Sequence, residues 1–158
     1  MDPAFLPASF NLATLLNKIG RNADAESVLR EALARTPDQG DLHYSLGLLL
    51  AESGRLDEAS AELGRAAALM PERGRVRYNH GLALLRAGQR DAAEPELRAA
   101  YTLERRDPQI VHALTLYYTQ TGEWAKALPF ARELAALAPQ DPGAREMLAR
   151  IEAELSGR

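Results

Sequence analysis

Apolar positions along this chain recur at helical spacing, in short runs that glycine and proline interrupt at regular intervals. Around the chain's first third, Leu46, Leu49 and Leu50 share one helical face. A break follows at Gly54, and Leu56, Ala59, Leu63 and Ala66 share the next face. This pattern predicts one helix over roughly 42–53 and a second over roughly 56–69, with a tight turn between them. Ala, Leu, Arg and Glu dominate the composition, and all four favour helix. β-Branched residues are few, which argues against a sheet. The predicted class is all-α.

The interruptions are periodic. Gly20, Gly54, Gly88 and Gly122 each lie 34 residues apart. Five residues after each comes Ala25, Ala59, Ala93 or Ala127, and seven further on Ala32, Ala66, Ala100 or Leu134. Next come Pro37, Pro71, Arg105 and Pro139, while Ala13, Gly47, Gly81 and Thr115 lie seven residues before the glycines. One register accommodates all of them without insertion or deletion. Small residues at Gly47 and Ala59 let two helix axes approach closely, at the short end of the ~8–10 Å range. Gly54 supplies the left-handed conformation that ends the first helix, and Pro71 cannot continue the second.

The 34-residue period and these residue types resemble the tetratricopeptide repeat. That family carries small residues at positions 8 and 27, Gly at 15, Ala at 20 and Pro at 32. In this register the repeats are 6–39, 40–73, 74–107 and 108–141, and 142–155 supplies a C-terminal capping helix. The resemblance implies a right-handed α-solenoid of antiparallel helix pairs in a single domain over 1–158. The first helix of each pair would line the concave side. Ala144, Met147, Leu148, Ile151 and Leu155 give the last helix one apolar face, opposite Arg145, Glu146, Arg150, Glu152 and Glu154. At the other end, Pro3 lies 34 residues before Pro37, so 1–5 reads as the tail of a preceding repeat that has been cut away. The first helix would then expose a face made for a neighbour, through which two copies could form a homodimer.

The resemblance also implies where a ligand sits, because positions 2, 5, 9, 12 and 13 of each first helix point into the groove. Position 5 is Phe10, Tyr44, Tyr78 and His112, and position 9 is Thr14, Leu48, Leu82 and Leu116. Arg86 stands at position 13 of the third repeat. Rings beside leucines suit an extended peptide or an apolar helix, since aromatic contacts bury much area at low entropic cost. The expected centre is Tyr78 with Leu82 and Leu48. The Lys/Asn/Arg clamp with which some of these repeats hold acidic chaperone tails is not matched: Phe10, Thr14, Tyr44 and Leu48 occupy its positions, and Asn79 alone agrees.

The remaining candidates are structural. His43 and His80 fall on packed sides of their helices and read as buried, hydrogen-bonded core residues, whereas His112 faces the groove, where it could sense pH. The three are too dispersed to bind a metal. Asp57 and Glu58 suit the positive end of a helix. Pro95 and Pro129 should bend their helices. Arg105, in place of proline, should leave the linker before the fourth repeat longer or more helical. Trp124 reads as a packing residue.

Charge and length then limit the function. The formal net charge of −3 lacks the basic excess of a nucleic-acid binder. No apolar run is long enough to span a membrane. There is no cysteine, which leaves cytoplasm and periplasm equally open. No phosphate loop or nucleophile elbow is present, so the reading is a non-catalytic scaffold with no cofactor and no metal. A protein or peptide partner is expected in the groove, in a bacterial setting suggested by the Ala/Arg/Leu-rich composition. The alternatives are a spacer or oligomerisation array, or a docking domain of a larger enzyme.

Overall fold

The computed structural model describes residues 5–157. Among them lie nine α-helices and no strand: α1 (Phe5–Lys18), α2 (Asn22–Arg35), α3 (Gly40–Glu52), α4 (Leu56–Leu69), α5 (Gly74–Arg86), α6 (Arg90–Leu103), α7 (Pro108–Gln120), α8 (Trp124–Leu137) and α9 (Pro142–Ser156). Each helix packs on those before and after it in sequence, and α3 also touches α5. The result is an α-solenoid of stacked helix pairs. The tail expected over 1–5 falls almost wholly outside the described residues.

The turn inside each pair is the same device four times. Gly20, Gly54, Gly88 and Gly122 have φ between 75° and 79°. The following N–H reaches back to the last turn of the helix: Arg21 to Leu16 O (2.8 Å), Arg55 to Leu50 O (3.0 Å), Gln89 to Leu84 O (2.8 Å) and Glu123 to Tyr118 O (2.8 Å). Carbonyls that the helix ends would leave orphaned are thereby satisfied.

Close packing accounts for the small residues. A Cβ on Gly47 would meet Leu63 Cγ at 2.6 Å, and one on Gly81 would meet Leu97 Cγ at 2.8 Å. Ala25, Ala59, Ala93 and Ala127 are fully buried, as are Ala32, Ala66 and Ala100. In the fourth repeat, Thr115 takes the place of Gly47 and Gly81, and its buried hydroxyl donates to Val111 O (2.8 Å). Larger side chains gather towards the C-terminal half. There the Tyr118 and Phe130 rings stack at 5.7 Å, and Tyr101 meets Phe130 edge-on at 5.2 Å.

Several expectations change. α3 begins at Gly40, two residues before the expected start, and ends at Glu52. The linker with Arg105 is neither longer nor more helical than the others, because all four span four residues. Glu104 ends α6 at φ −132°, ψ 61°, close to the values of Met70 and Ala138. The chain leaves the helix at that residue, so a proline beyond it is not required. Pro95 and Pro129, where bending is expected, sit sixth in α6 and α8 and end neither helix. In the last helix Ala144 and Ile151 are buried and Met147 and Leu148 half-buried, whereas Leu155, one residue from the end, is exposed.

Candidate functional site

The odd-numbered helices line one face of the stack, and side chains between them form three hollows; one, about 240 Å³, lies between Leu116 and Thr119 of α7 and Met147 and Arg150 of α9, and the other two hold the residues expected in the groove. The first, about 240 Å³, is lined by Phe10, Thr14 and Asn17 of α1 and by Tyr44, Leu48 and Glu52 of α3, with Ala13, Ala25 and Leu29 at its floor. The second, about 310 Å³, is lined by Tyr78, Leu82, Leu85 and Arg86 of α5 and by His112, Leu116, Tyr117 and Gln120 of α7. All nine residues expected in the groove line one or other hollow. The single centre expected at Tyr78, Leu82 and Leu48 does not form, because Leu48 belongs to the first hollow and the other two to the second.

A polar bridge separates them. Asn79 Nδ2 donates to Tyr44 Oη at 2.6 Å, and Arg86 Nη2 donates to Ala51 O at 3.1 Å. Both bonds run from the third repeat to the second. At the preceding junction, Asn17 Nδ2 donates to Glu52 Oε2 (3.2 Å). In the sequence Asn79 stands out only as the one residue that agrees with the clamp pattern. Its partner lies 35 residues away, and no local signal announces the bond.

Electrostatics sharpen the second hollow. The Arg75 guanidinium sits over the Tyr78 ring at 5.4 Å and donates to Asp107 Oδ2 (2.7 Å) and Gln109 Oε1 (2.5 Å). That frame fixes the ring by cation–π attraction and side-chain hydrogen bonds. Burial pushes the Tyr78 phenol above its ordinary pKa, Arg75 opposes the shift and Asp107 adds to it. Tyr78 is therefore a neutral donor at physiological pH. Arg86 commits one of its five donors to Ala51 O, which leaves others for an incoming acceptor. His112 is exposed and lines both this hollow and a shallower one beside Asp141.

The histidines outside the groove divide. His43 is buried, with Nδ1 2.6 Å from Glu62 Oε2 and Nε2 2.7 Å from Pro37 O. His80 departs from expectation: it is only half-buried, and Nδ1 has no hydrogen-bond partner. Glu96 Oε2 lies 3.6 Å away, beyond hydrogen-bond reach but close enough for charge to act. His80 first, and Arg77 with it, hold the Glu96 carboxyl below the usual range against the opposing effect of burial. Asp57 and Glu58 open α4 as expected, and Glu58 also pairs with Arg55 and Arg30. Trp124 packs half-buried against the C-terminal core, with Arg150 over its ring at 5.9 Å. Among the described residues, no group of three His, Cys, Asp or Glu could hold a metal ion, and no helix is long and apolar enough to cross a membrane.

A stack of helix pairs with a side-chain-lined groove defines a helical repeat protein. Three family models, each described as tetratricopeptide repeat, match residues 10–74, 74–99 and 108–151. The chain belongs to the tetratricopeptide-repeat family. The crystal structure of MamA protein matches it with a TM-score of 0.90 at 19% identity, over 97% of this chain and 83% of that one. MamA from Desulfovibrio magneticus RS-1 gives 0.85 at 20% identity, over 96% and 86%. YrrB, described as a TPR protein with an unusual peptide-binding site, gives 0.85 at 21% identity, over 95% and 77%. At these identities the likeness establishes the fold. No curated protein sequence matches the chain.

Proposed function

We propose that this chain is a non-catalytic interaction scaffold that holds a segment of another protein along its groove. The observation that carries the reading is the pair of ring-and-leucine hollows on one face, fixed by hydrogen bonds between repeats. Walls held in this way lose little conformational freedom on binding, so more of the contact energy is available for affinity. The peptide-binding site ascribed to YrrB, a protein of the same fold, supports the reading.

The two hollows suit two apolar anchors on one ligand, in an extended segment or on one face of a helix. Arg86, at the rim of the second hollow, favours an acidic group or a backbone carbonyl beside the second anchor. The near-balanced charge of the whole chain favours a protein partner over nucleic acid. A second surface offered to a protein is the outer side of α1, which is separate from the groove.

The test is a pull-down from a bacterial lysate with the chain and with its Tyr78→Ala/Leu82→Ala variant, helicity being matched by circular dichroism. A partner retained by the chain and lost by the folded variant supports the groove. A partner held equally by both moves the site elsewhere.

A further inference from the structure

In the second and fourth repeats, the first helix of each pair turns one side towards the preceding repeat, and that side is covered; at the same positions of the third repeat Ala83 is 2% exposed and His80 half-buried. Leu46 and Leu114 are 1% and 0% exposed, and one turn on Leu49 and Tyr117 are 4% and 5% exposed. The same positions in α1 are Leu12 and Leu15, at 46% and 56%, and Ile19 beyond them is at 60%. The outer side of α1 therefore continues the surface by which every later repeat meets its neighbour, with nothing among the described residues to cover it.

We propose that this side of α1 is a self-association surface, met by α1 of a second copy in an isologous antiparallel pair. Ala8, Leu12 and Leu15 of α1 are spaced four and three residues apart, which is the seam spacing of helices that pack in pairs, and Ile19 adds an apolar side chain just past the helix end. Two identical seams are self-complementary about a two-fold axis. The other end of the stack offers no match. The exposed side chains of α9 include Arg145, Glu146, Glu152 and Glu154, and a head-to-tail contact would press charges against Leu12 and Leu15. α1 itself carries a single charge, Lys18, in its last turn. A parallel pair would set two Lys18 side chains together, and an antiparallel pair sends them to opposite ends. Opposed helix dipoles favour the same orientation.

Sedimentation equilibrium across the micromolar range is the experiment. The chain should show a reversible monomer–dimer equilibrium, and Leu12→Glu/Leu15→Glu should weaken dimerisation by at least about tenfold. A chain that stays monomeric throughout, or a dimer that the variant leaves unchanged, overturns the proposal. Cross-linking keeps the test decisive if the charged variant folds poorly. The chain has no cysteine, and in the antiparallel pair residue 12 lies opposite residue 15 of the second copy. Oxidised Leu12→Cys/Leu15→Cys should run as a covalent dimer on a non-reducing gel, and failure to cross-link at concentrations where the chain is dimeric rules out this face. Neither substitution touches the groove, so self-association and partner binding fail independently.

Discussion

Asn79 Nδ2 and Tyr44 Oη lie 2.6 Å apart, and their hydrogen bond ties the third repeat to the second across the floor of the groove. The bond depends on a tyrosine at the fifth position of one repeat and an asparagine at the sixth of the next. The following junction sets Tyr78 against Ala113, which has no side-chain donor. The flanking junctions are bridged by other pairs, Asn17 with Glu52 on one side and Arg75 with Asp107 and Gln109 on the other. Asn79→Ala should cost about 1 kcal/mol, the usual net worth of such a bond. The melting temperature of the variant should fall by roughly 2–4 °C, a shift typical for a chain of this size. An unchanged melt would mean that the bond adds nothing to the stack.

The tight approach of helices within a pair makes a larger prediction. Gly81→Ala places a Cβ 2.8 Å from Leu97, which is fully buried and has little room to yield. Overpacking of this kind costs about 1–3 kcal/mol. Urea denaturation should show a lower midpoint at an unchanged slope. Gly54→Ala should also destabilise, but through backbone strain alone, since a Cβ there meets nothing within 4 Å at φ 76°.

His43 joins α3, α4 and the linker before α3 through two acceptors, Glu62 Oε2 and Pro37 O. His43→Ala leaves both acceptors without their partner and should cost about 2–4 kcal/mol, the sum of a small cavity and an orphaned buried group. His43→Gln, which keeps a donor, should recover part of the loss. Equal stabilities for the two variants in thermal melts would show that volume alone matters at this position.

Tyr118 predicts an alkaline limit. Burial, then the hydrogen bond to Glu94 (2.7 Å), pushes its phenol up to about 12. In the unfolded chain a tyrosine ionises near ~10. The folded state thus keeps its proton where the unfolded state releases it, so stability falls as pH rises from about 10 to about 12. The full loss is about 2–3 kcal/mol. Tyr118→Phe should start less stable at neutral pH, having lost the Glu94 bond, and should show a flatter decline above pH ~10.

Much of the fold was legible because its determinants are local or periodic. A turn glycine needs its own φ, and a small residue at Gly47 or Ala59 reports the close pass of another helix. The groove face was legible for a related reason, since position in the repeat determines which side a residue faces. What escaped the sequence depends on pairs of residues in different repeats. The Asn79–Tyr44 bond splits the groove only because α5 meets α3 at the right rotation. His80 lacks the partner that His43 has because Glu96 stands 3.6 Å away, whereas Glu62 stands 2.6 Å from His43. The linker at Arg105 keeps the common length because the helix ends by backbone conformation at Glu104, before a proline could act.

The central claim is that the two-hollow face receives the partner. Site-specific photocross-linking tests it most directly, with a photoreactive phenylalanine analogue placed at Tyr78 in the second hollow or at Ala61 on exposed α4, outside both hollows. Cross-links to a captured partner from position 78 and none from position 61 are the predicted result. Cross-links from position 61 with none from 78 would contradict the account and place recognition on the opposite face.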